Sequence, residues 1–330
     1  MSEIIQNFDD EYEKHIQDKH AKWDTPEAFL FSEVEAITHA KPISRTRIVK
    51  GENSEVYKIE TKEGRDLIAR ISHSENSRFE QERWAIIQAR LAGAPVPEIL
   101  GIKQIRMENG LVTVSIQNEI PGVPMEEMSL LQEPESIELY KKLMKDAGSI
   151  LAKIHSVKII GFGVLDKNGK GQWTNSEDLW LEMEKWRGEI DEVAARANIS
   201  AELITKALDL MKVAAVNCKI EQPVLIHDDF APKHIMVADN HISGIIDFET
   251  CEGGDPVRDF ARWQYHKKEF TIDNLLEGYD GLLPSDFEYR LRLWKVHMGL
   301  TTLEYYLEDG NQAAIHNTIL KLEEDMNALE

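Results

Sequence analysis

In the stretch Val224–Ala261, VLIHDDFAPKHIMVADNHISGIIDFETCEGGDPVRDFA, the side chains that could do chemistry are His227, Asp229, His234 and Asp247, with Asp255 and Asp259 behind them. Taken singly, a His-x-Asp pair in a loop is a local hydrogen-bonding device, and an Asp at a strand end is a turn residue. Their joint spacing says more. The apolar runs Val224–Ile226, Ile235–Val237 and Ile242–Ile246 read as short strands joined by tight loops, which hold polar side chains at a shared edge. Transfer of a phosphoryl group needs such a set. One carboxylate must orient the attacking hydroxyl and accept its proton, and other side chains must hold metal ions on the phosphates. Asp229 suits the first task. His234, five positions on, and Asp247, at the end of the next strand, suit the second.

The same stretch resembles the aminoglycoside phosphotransferase/choline kinase superfamily of kinase-like enzymes. The pattern there is His-Gly-Asp-Leu, an Asn, an Ile-Asp strand end, then Gly-Asp-Pro and a later Asp. Here it reads His227-Asp228-Asp229-Phe230, His234, Ile246-Asp247 and Gly254-Asp255-Pro256 followed by Asp259. Asp228 stands in place of Gly, in a turn that Asp can also make. His234 stands in place of Asn, so a neutral imidazole would have to bind metal. Imidazole is softer than an amide oxygen and Mg²⁺ prefers oxygen, so a shift of preference from Mg²⁺ toward Mn²⁺ is expected. The resemblance implies that His227 braces the loop, and that Asp255 and Asp259 tie it to the following helix, with Pro256 in that helix's first turn.

The elements that must position these groups lie on both sides. Ile43–Val49, Glu55–Glu60, Asp66–Ile71, Glu98–Ile105 and Leu111–Gln117 read as five strands. The loop Lys50–Ser54 between the first two offers backbone amides to phosphates, Ser54 among them. Arg70 sits on the third strand, where kinase-like folds carry a Lys for the α- and β-phosphates. Its flanks alternate poorly, so the strand reads as buried on both faces, and a buried charge needs a partner. Glu82 is the expected one, with Glu80 behind it, on a helix Ser77–Leu91 whose apolar positions are Trp84, Ile87 and Leu91. Asn118–Gly122 reads as a hinge where backbone groups of Asn118 and Ile120 would meet a nucleotide base, and Pro121-Gly122 marks the boundary. Ser136–His155 is an amphipathic helix with a core stripe from Leu139 to Ile154, and His155 reads as a cap on its free carbonyls. Gly161–Gly163 and Lys167–Gly171 read as loops, and Glu177–Ala197 and Ala201–Asn217 as helices. Pro256–His266, Ile272–Tyr279, Asp286–Leu307 and Asn311–Leu329 read as helices beyond the central stretch. Glu249, Glu252 and Glu308 are acidic candidates for an acceptor pocket, and Glu252, just beyond Asp247, is the nominee for substrate binding.

The 330 residues suffice for two lobes with cores of their own. No apolar run approaches membrane-spanning length, and the start MSEIIQNFDD is acidic where a signal peptide would be basic and then apolar. The two cysteines, Cys218 and Cys251, make neither a disulfide framework nor a zinc motif, and a reducing cytoplasm is the simplest home. A net charge of −21 argues against nucleic-acid binding and would steer a cationic small molecule inward.

We therefore expect an α+β, protein-kinase-like bilobal fold. A helical extension occupies 1–40, a nucleotide-binding lobe with a five-stranded antiparallel sheet 41–120, and a mostly helical lobe with the catalytic loop and acceptor site 121–330. The resemblance covers about residues 43–310. It implies a small-molecule kinase using ATP or GTP with Mg²⁺ or Mn²⁺, acting on a hydroxyl of an acceptor of aminoglycoside type. Macrolides, choline, other amino alcohols and sugars stay open, as does the oligomeric state. Two rival readings are a His/Asp metal-dependent hydrolase built on His227, Asp229, His234 and Asp247, and a nucleotide-binding protein without catalysis. A protein kinase is disfavoured, because no Phe-Gly or Ala-Pro-Glu landmark follows Asp247.

Overall fold

The computed structural model of the protein describes residues 2–49, 54–107, 110–128, 134–266 and 272–329. Of the expected loop Lys50–Ser54, residues Lys50–Asn53 lie outside that set, as do Glu108 and Asn109. Two helices come first, α1 (Ser2–His20) and α2 (Glu27–Thr38), the latter starting directly after Pro26. The strands β1 (Pro42–Ile48), β2 (Glu55–Thr61) and β3 (Asp66–Ser72) follow, then helix α3 (Phe79–Leu91), then β4 (Ile99–Met107) and β5 (Gly110–Asn118). The five strands form one antiparallel sheet in the order β1-β2-β3-β5-β4, as expected.

On β2 the buried positions alternate, with Tyr57, Ile59 and Thr61 turned inward, and on β3 nearly every position is buried. Leu30 and Val34 of α2 join Tyr57, Ile59, Leu67, Ile71, Val114 and Ile116 in one apolar cluster. The contact between α2 and β4 is close enough to require a glycine: a Cβ on Gly101 would lie 2.5 Å from Ile37 Cγ2. Thus α2 packs on the sheet that follows it. Helix α1 runs instead toward the far end of the chain, where His15 and Lys19 both hold Asp309.

Helix α3 corrects the expected stripe. Ile87 and Leu91 are 47% and 78% exposed, whereas Phe79, Glu82, Ala85, Ile86 and Ala89 are buried. The buried face follows the spacing i, i+3, i+4, i+7 from Glu82; packing Phe79, Ala85, Ile86 and Ala89 inward also brings that carboxylate to Arg70.

Beyond β5 the chain passes through β6 (Val123–Pro124) and α4 (Met125–Met128) into α5 (Pro134–His155), whose Leu143, Met144, Ala147, Leu151 and Ile154 are buried core, as the periodicity predicts. The expected loop Gly161–Gly163 runs into a strand, β7 (Phe162–Leu165), which pairs with β8 (Gly171–Trp173), while 167–169 form the turn between them as expected. The single helix expected over 177–197 is broken into α6 (Glu177–Leu181), a 3₁₀ stretch Glu182–Gly188 and α7 (Ile190–Ala197). The tighter winding buries Met183 and Trp186 in the core. Helix α8 (Ala201–Asn217) is capped by the Ser200 side chain, which accepts from Glu202 N.

The central stretch supplies β9 (Val224–Ile226), β10 (Ile235–Ala238), β11 (His241–Ile245) and an additional strand β12 (Glu252–Gly254). Two small sheets result, β11-β10-β6 and β8-β7-β12-β9. Helices α9 (Val257–His266), α10 (Asp273–Gly278), α11 (Phe287–Asp309) and α12 (Gln312–Asn327) complete the chain. A second, larger core joins these helices to α5 and α8 around Trp180, Trp263 and Trp294, with Trp180 stacked on Trp294 at 3.8 Å. No helix of the described residues is long and apolar enough to cross a membrane.

Candidate active site

Two loops leave the small sheets at one edge, and both require unusual backbone. Asp228 has φ +60° and Asp247 φ +67°. Asp tolerates this left-handed region better than most residues, which explains how Asp228 can stand where a glycine is the common choice. The loop after β9 is held from behind. The backbone N–H groups of His227 and Asp228 donate to the two oxygens of Asp259, at 2.9 and 2.8 Å. His227 braces the loop, as expected: Nε2 donates to the Ile246 carbonyl at 3.0 Å, and Nδ1 accepts from Asp229 N at 3.2 Å. Burial drives its pKa below the usual value, in keeping with a neutral ring.

Asp259 is itself fixed by His155, whose Nε2 donates to it at 2.9 Å while Nδ1 meets Tyr279 Oη at 3.0 Å. His155 is therefore not the carbonyl cap that its place at the end of α5 suggests; the buried carboxylate is the stronger acceptor. Burial pushes the Asp259 carboxyl up, but the hydrogen bond from His155 and its neighbours outweigh that and hold it low. Asp255 ties the start of α9 in place, accepting from Val257 N, Arg290 and Trp294 Nε1.

On the open side of the loop, Phe230, Ala231 and Pro232 are buried, and a 3₁₀ turn Pro232–His234 follows. This turn swings His234 back over the loop. Its Nδ1 lies 2.9 Å from the Asp229 carbonyl, which can only accept, so Nδ1 carries the proton. In the neutral ring Nε2 then keeps its lone pair, and it faces Asp247 Oδ2 at 3.3 Å. Two ligands about 2.1 Å from an octahedral ion and at right angles stand about 3 Å apart. The pair therefore fits one divalent ion. Among the described residues no group of three or more His, Cys, Asp or Glu converges on a metal position. With both nitrogens of His227 engaged, the four-ligand hydrolase cluster is not assembled.

Arg70 reaches this edge from β3. Its Nη1 donates to Glu82 at 2.5 Å, and Nη2 donates to Asp247 at 3.2 Å and to Glu249 at 2.6 Å. Its guanidinium also lies over the Phe79 ring at 5.0 Å. Burial alone would lower the Arg70 pKa, but three carboxylates raise it. Burial, aided by Asp247 and Glu249, pushes Glu82 up to about 7 against the pull of Arg70. Asp247 lies in the cleft; desolvation raises its carboxyl, but the Arg70 guanidinium outweighs this and brings it below the usual range. Arg78, at the start of α3, adds a second link by donating to the Cys251 carbonyl at 3.0 Å.

The structure thus brings together Arg70, Glu82, Asp229, His234 and Asp247. Ser54 borders the undescribed loop, is buried, and has no partner for Oγ among the described residues. At the hinge, Asn118 N donates to the Glu98 carbonyl at 3.0 Å and Glu119 N to the Asp66 carbonyl at 3.1 Å, so the Asn118 amide is already used within the sheet. Ile120 packs over Gly244, where a Cβ would lie 2.8 Å from Ile120 Cγ2. Glu252, the nominee for substrate binding, does not face solvent. It lies buried on β12, where Arg258 donates to it at 2.9 Å and to Asp228 at 2.8 Å. Two residues escaped notice as members of the site. Glu249, grouped with acidic pocket candidates, faces Arg70; its place two residues past Asp247 was the available signal. Lys233 donates to Asp229 Oδ2 at 2.9 Å, and its position four residues after that Asp was the signal.

Known proteins share this fold. The sequence profile of the phosphotransferase enzyme family matches residues 44–289. The fold is similar to that of a thermostable mutant of aminoglycoside phosphotransferase APH(4)-Ia in its apo form, with TM-score 0.71 and 20% identity over 92% of this chain and 99% of that one. It is similar to a ternary complex of a thermostable mutant of that enzyme with AMP-PNP and hygromycin B, with TM-score 0.71 and 20% identity over 90% and 97%. It is also similar to the GDP and kanamycin complex of APH(2")-IIia, with TM-score 0.65 and 15% identity over 91% and 98%. No curated protein matches the chain by sequence.

Proposed function

The chain belongs to the phosphotransferase enzyme family, and from that premise we propose that it moves the γ-phosphate of ATP or GTP to a hydroxyl of a small, cationic acceptor of aminoglycoside type. The observation that carries this reading is an unbroken run of contacts across the cleft. Arg70 Nη2 meets Asp247 at 3.2 Å, Asp247 Oδ2 meets His234 Nε2 at 3.3 Å, and His234 Nδ1 meets the Asp229 carbonyl at 2.9 Å. Phosphoryl transfer asks little covalent chemistry of the protein; it needs position and charge, in this order along the cleft.

In this reading Asp229 orients the acceptor hydroxyl and takes its proton. Arg70, fixed by Glu82, binds the phosphates. Ile120 offers the backbone group at the hinge that meets the base, since the Asn118 amide is occupied. Ser54 Oγ, directly before β2, is a donor for the phosphates. His234 Nε2 and Asp247 would hold Mg²⁺ or Mn²⁺, with Glu249 beside them, and the bound ion would supply neutralisation of the phosphate charge. Glu252 is assigned to the support of the loop, away from the acceptor. The acceptor class rests on two supports. The structural relatives include complexes with hygromycin B and kanamycin, and a chain of net charge −21 draws cations inward.

The test is a panel of hydroxylated small molecules, from aminoglycosides through amino alcohols to sugars, assayed for ATP and GTP consumption with Mg²⁺ and Mn²⁺ in parallel. We expect consumption that depends on a cationic acceptor. Nucleotide binding with no transfer to any member of the panel would overturn the reading in favour of a non-catalytic binder.

A further inference from the structure

Lys233 is a charged side chain at the cleft to which neither base, metal nor nucleotide binding gives a task. It sits on the turn Pro232–His234, between buried Pro232 and the metal-facing His234. Its ammonium donates to Oδ2 of Asp229 at 2.9 Å, and His234 Nδ1 lies 3.5 Å from the same oxygen. As a surface ion pair four residues apart, it would contribute little. Its placement argues for more. The pair joins the acid that would take the acceptor's proton to the turn carrying His234, whose other ring nitrogen faces Asp247 at 3.3 Å, where the phosphates would lie. In the proposed reaction the transferred group would pass beside this turn. The side chain is 38% exposed, so it is free to move on its flexible stem while the turn beneath it is fixed by buried Phe230 and Pro232.

We propose that Lys233 is a catalytic residue that exchanges partners during the reaction. This rests on the phosphotransfer reading above. Before the nucleotide arrives, the ammonium covers the Asp229 oxygen. With a nucleoside triphosphate and a hydroxyl acceptor in place, it moves to the non-bridging oxygens of the γ-phosphoryl and uncovers the base. The acceptor oxygen then bonds to the γ-phosphorus as the bond from that phosphorus to the β-phosphate oxygen breaks. The leaving electron pair stays on the nucleoside diphosphate, and the acceptor's proton passes to Asp229. Lys233 transfers no proton; it neutralises charge where charge moves.

The experiment measures binding of Mg·ADP, alone and with aluminium fluoride as a mimic of the transferring phosphoryl, to wild type, Lys233→Met and Lys233→Arg. Thermal melting checks that each variant is folded. For Lys233→Met we expect ADP affinity within about two-fold of wild type, but a loss of about 100-fold in the tightening caused by fluoride, the usual weight of one preorganised donor. Lys233→Arg keeps the charge and should recover most of that tightening. If Lys233→Met tightens as wild type does, Lys233 has no role in transfer, and the phosphotransfer reading stands. If both variants lose ADP itself, Lys233 serves ground-state binding and the partner exchange is wrong. If wild type binds no nucleotide, the phosphotransfer reading fails and takes this one with it.

Discussion

The loop from His227 to His234 has two faces, and they are built in opposite ways. On its open face the side chains of Asp229, Lys233 and Asp247 are 21%, 38% and 41% exposed. On its rear face those of Asp228, Asp259 and His155 are between 0% and 7% exposed. The rear groups have partners fixed by packing: two backbone amides and a histidine on Asp259, and Arg258 between Asp228 and Glu252. The open groups are held by contacts that a ligand can replace: Lys233 on Asp229, and Arg70 on Asp247 and Glu249. Buried ionic groups cost much to separate and so keep one arrangement, whereas exposed ones can change partner cheaply. Under the proposed function, a stationary rear face would let the open face rearrange around a nucleotide without losing the geometry of Asp229.

That contrast can be broken experimentally. The largest expected effect is from Asp259→Ala, which strands His155 and two buried amides; it should cost about 3–5 kcal/mol of stability in denaturant unfolding. A loss under about 1 kcal/mol would mean that the rear face is not held by this carboxylate. A smaller effect is expected from Glu252→Gln, read through pH. Burial, with Asp228 and Glu182 nearby, pushes Glu252 up to about 7 despite Arg258. A raised folded pKa means that the folded protein binds the proton more tightly. The stability it confers is full below the ordinary value near 4.5 and is lost as pH rises to about 7. Gln cannot titrate, so the melting temperature of wild type relative to Glu252→Gln should fall across that window and then level off; parallel curves would refute it. The smallest effect belongs to the open face. His234→Asn should move the ratio of turnover with Mg²⁺ to that with Mn²⁺ toward Mg²⁺, since an amide oxygen is the harder ligand. An unchanged ratio would remove His234 from the metal.

How much of this could be read in the chain follows the range of the interactions. Strands β1–β5 and the core stripe of α5 were legible because alternation and helical spacing are local signals. The pairing of Arg70 with Glu82 was legible too, since a charge on a doubly buried strand demands a partner. The face of α3 was not: Ile87 and Leu91 are apolar yet exposed, and the face that packs carries Phe79, Ala85, Ile86 and Ala89 together with Glu82. His155 could not be assigned because its partner, Asp259, is 104 residues away. Glu252 read as a substrate-binding acid because β12 is a three-residue strand whose pairing with β7 and β9 leaves no periodic trace. Lys233 was local enough to be found, but its meaning depends on a 3₁₀ turn that the sequence marks only by Pro232.

The central claim is that Asp229 does chemistry while Asp247 holds the metal that binds the nucleotide. The most direct test is Mg²⁺-dependent nucleotide affinity and phosphate transfer, measured side by side in Asp229→Ala and Asp247→Ala. We predict that Asp229→Ala binds nucleotide as wild type does but loses transfer by about 10²–10⁴-fold, the range for a positioned general base, and that Asp247→Ala loses the Mg²⁺ dependence of binding. Substantial turnover in Asp229→Ala, or undiminished Mg²⁺-dependent affinity in Asp247→Ala, would contradict it.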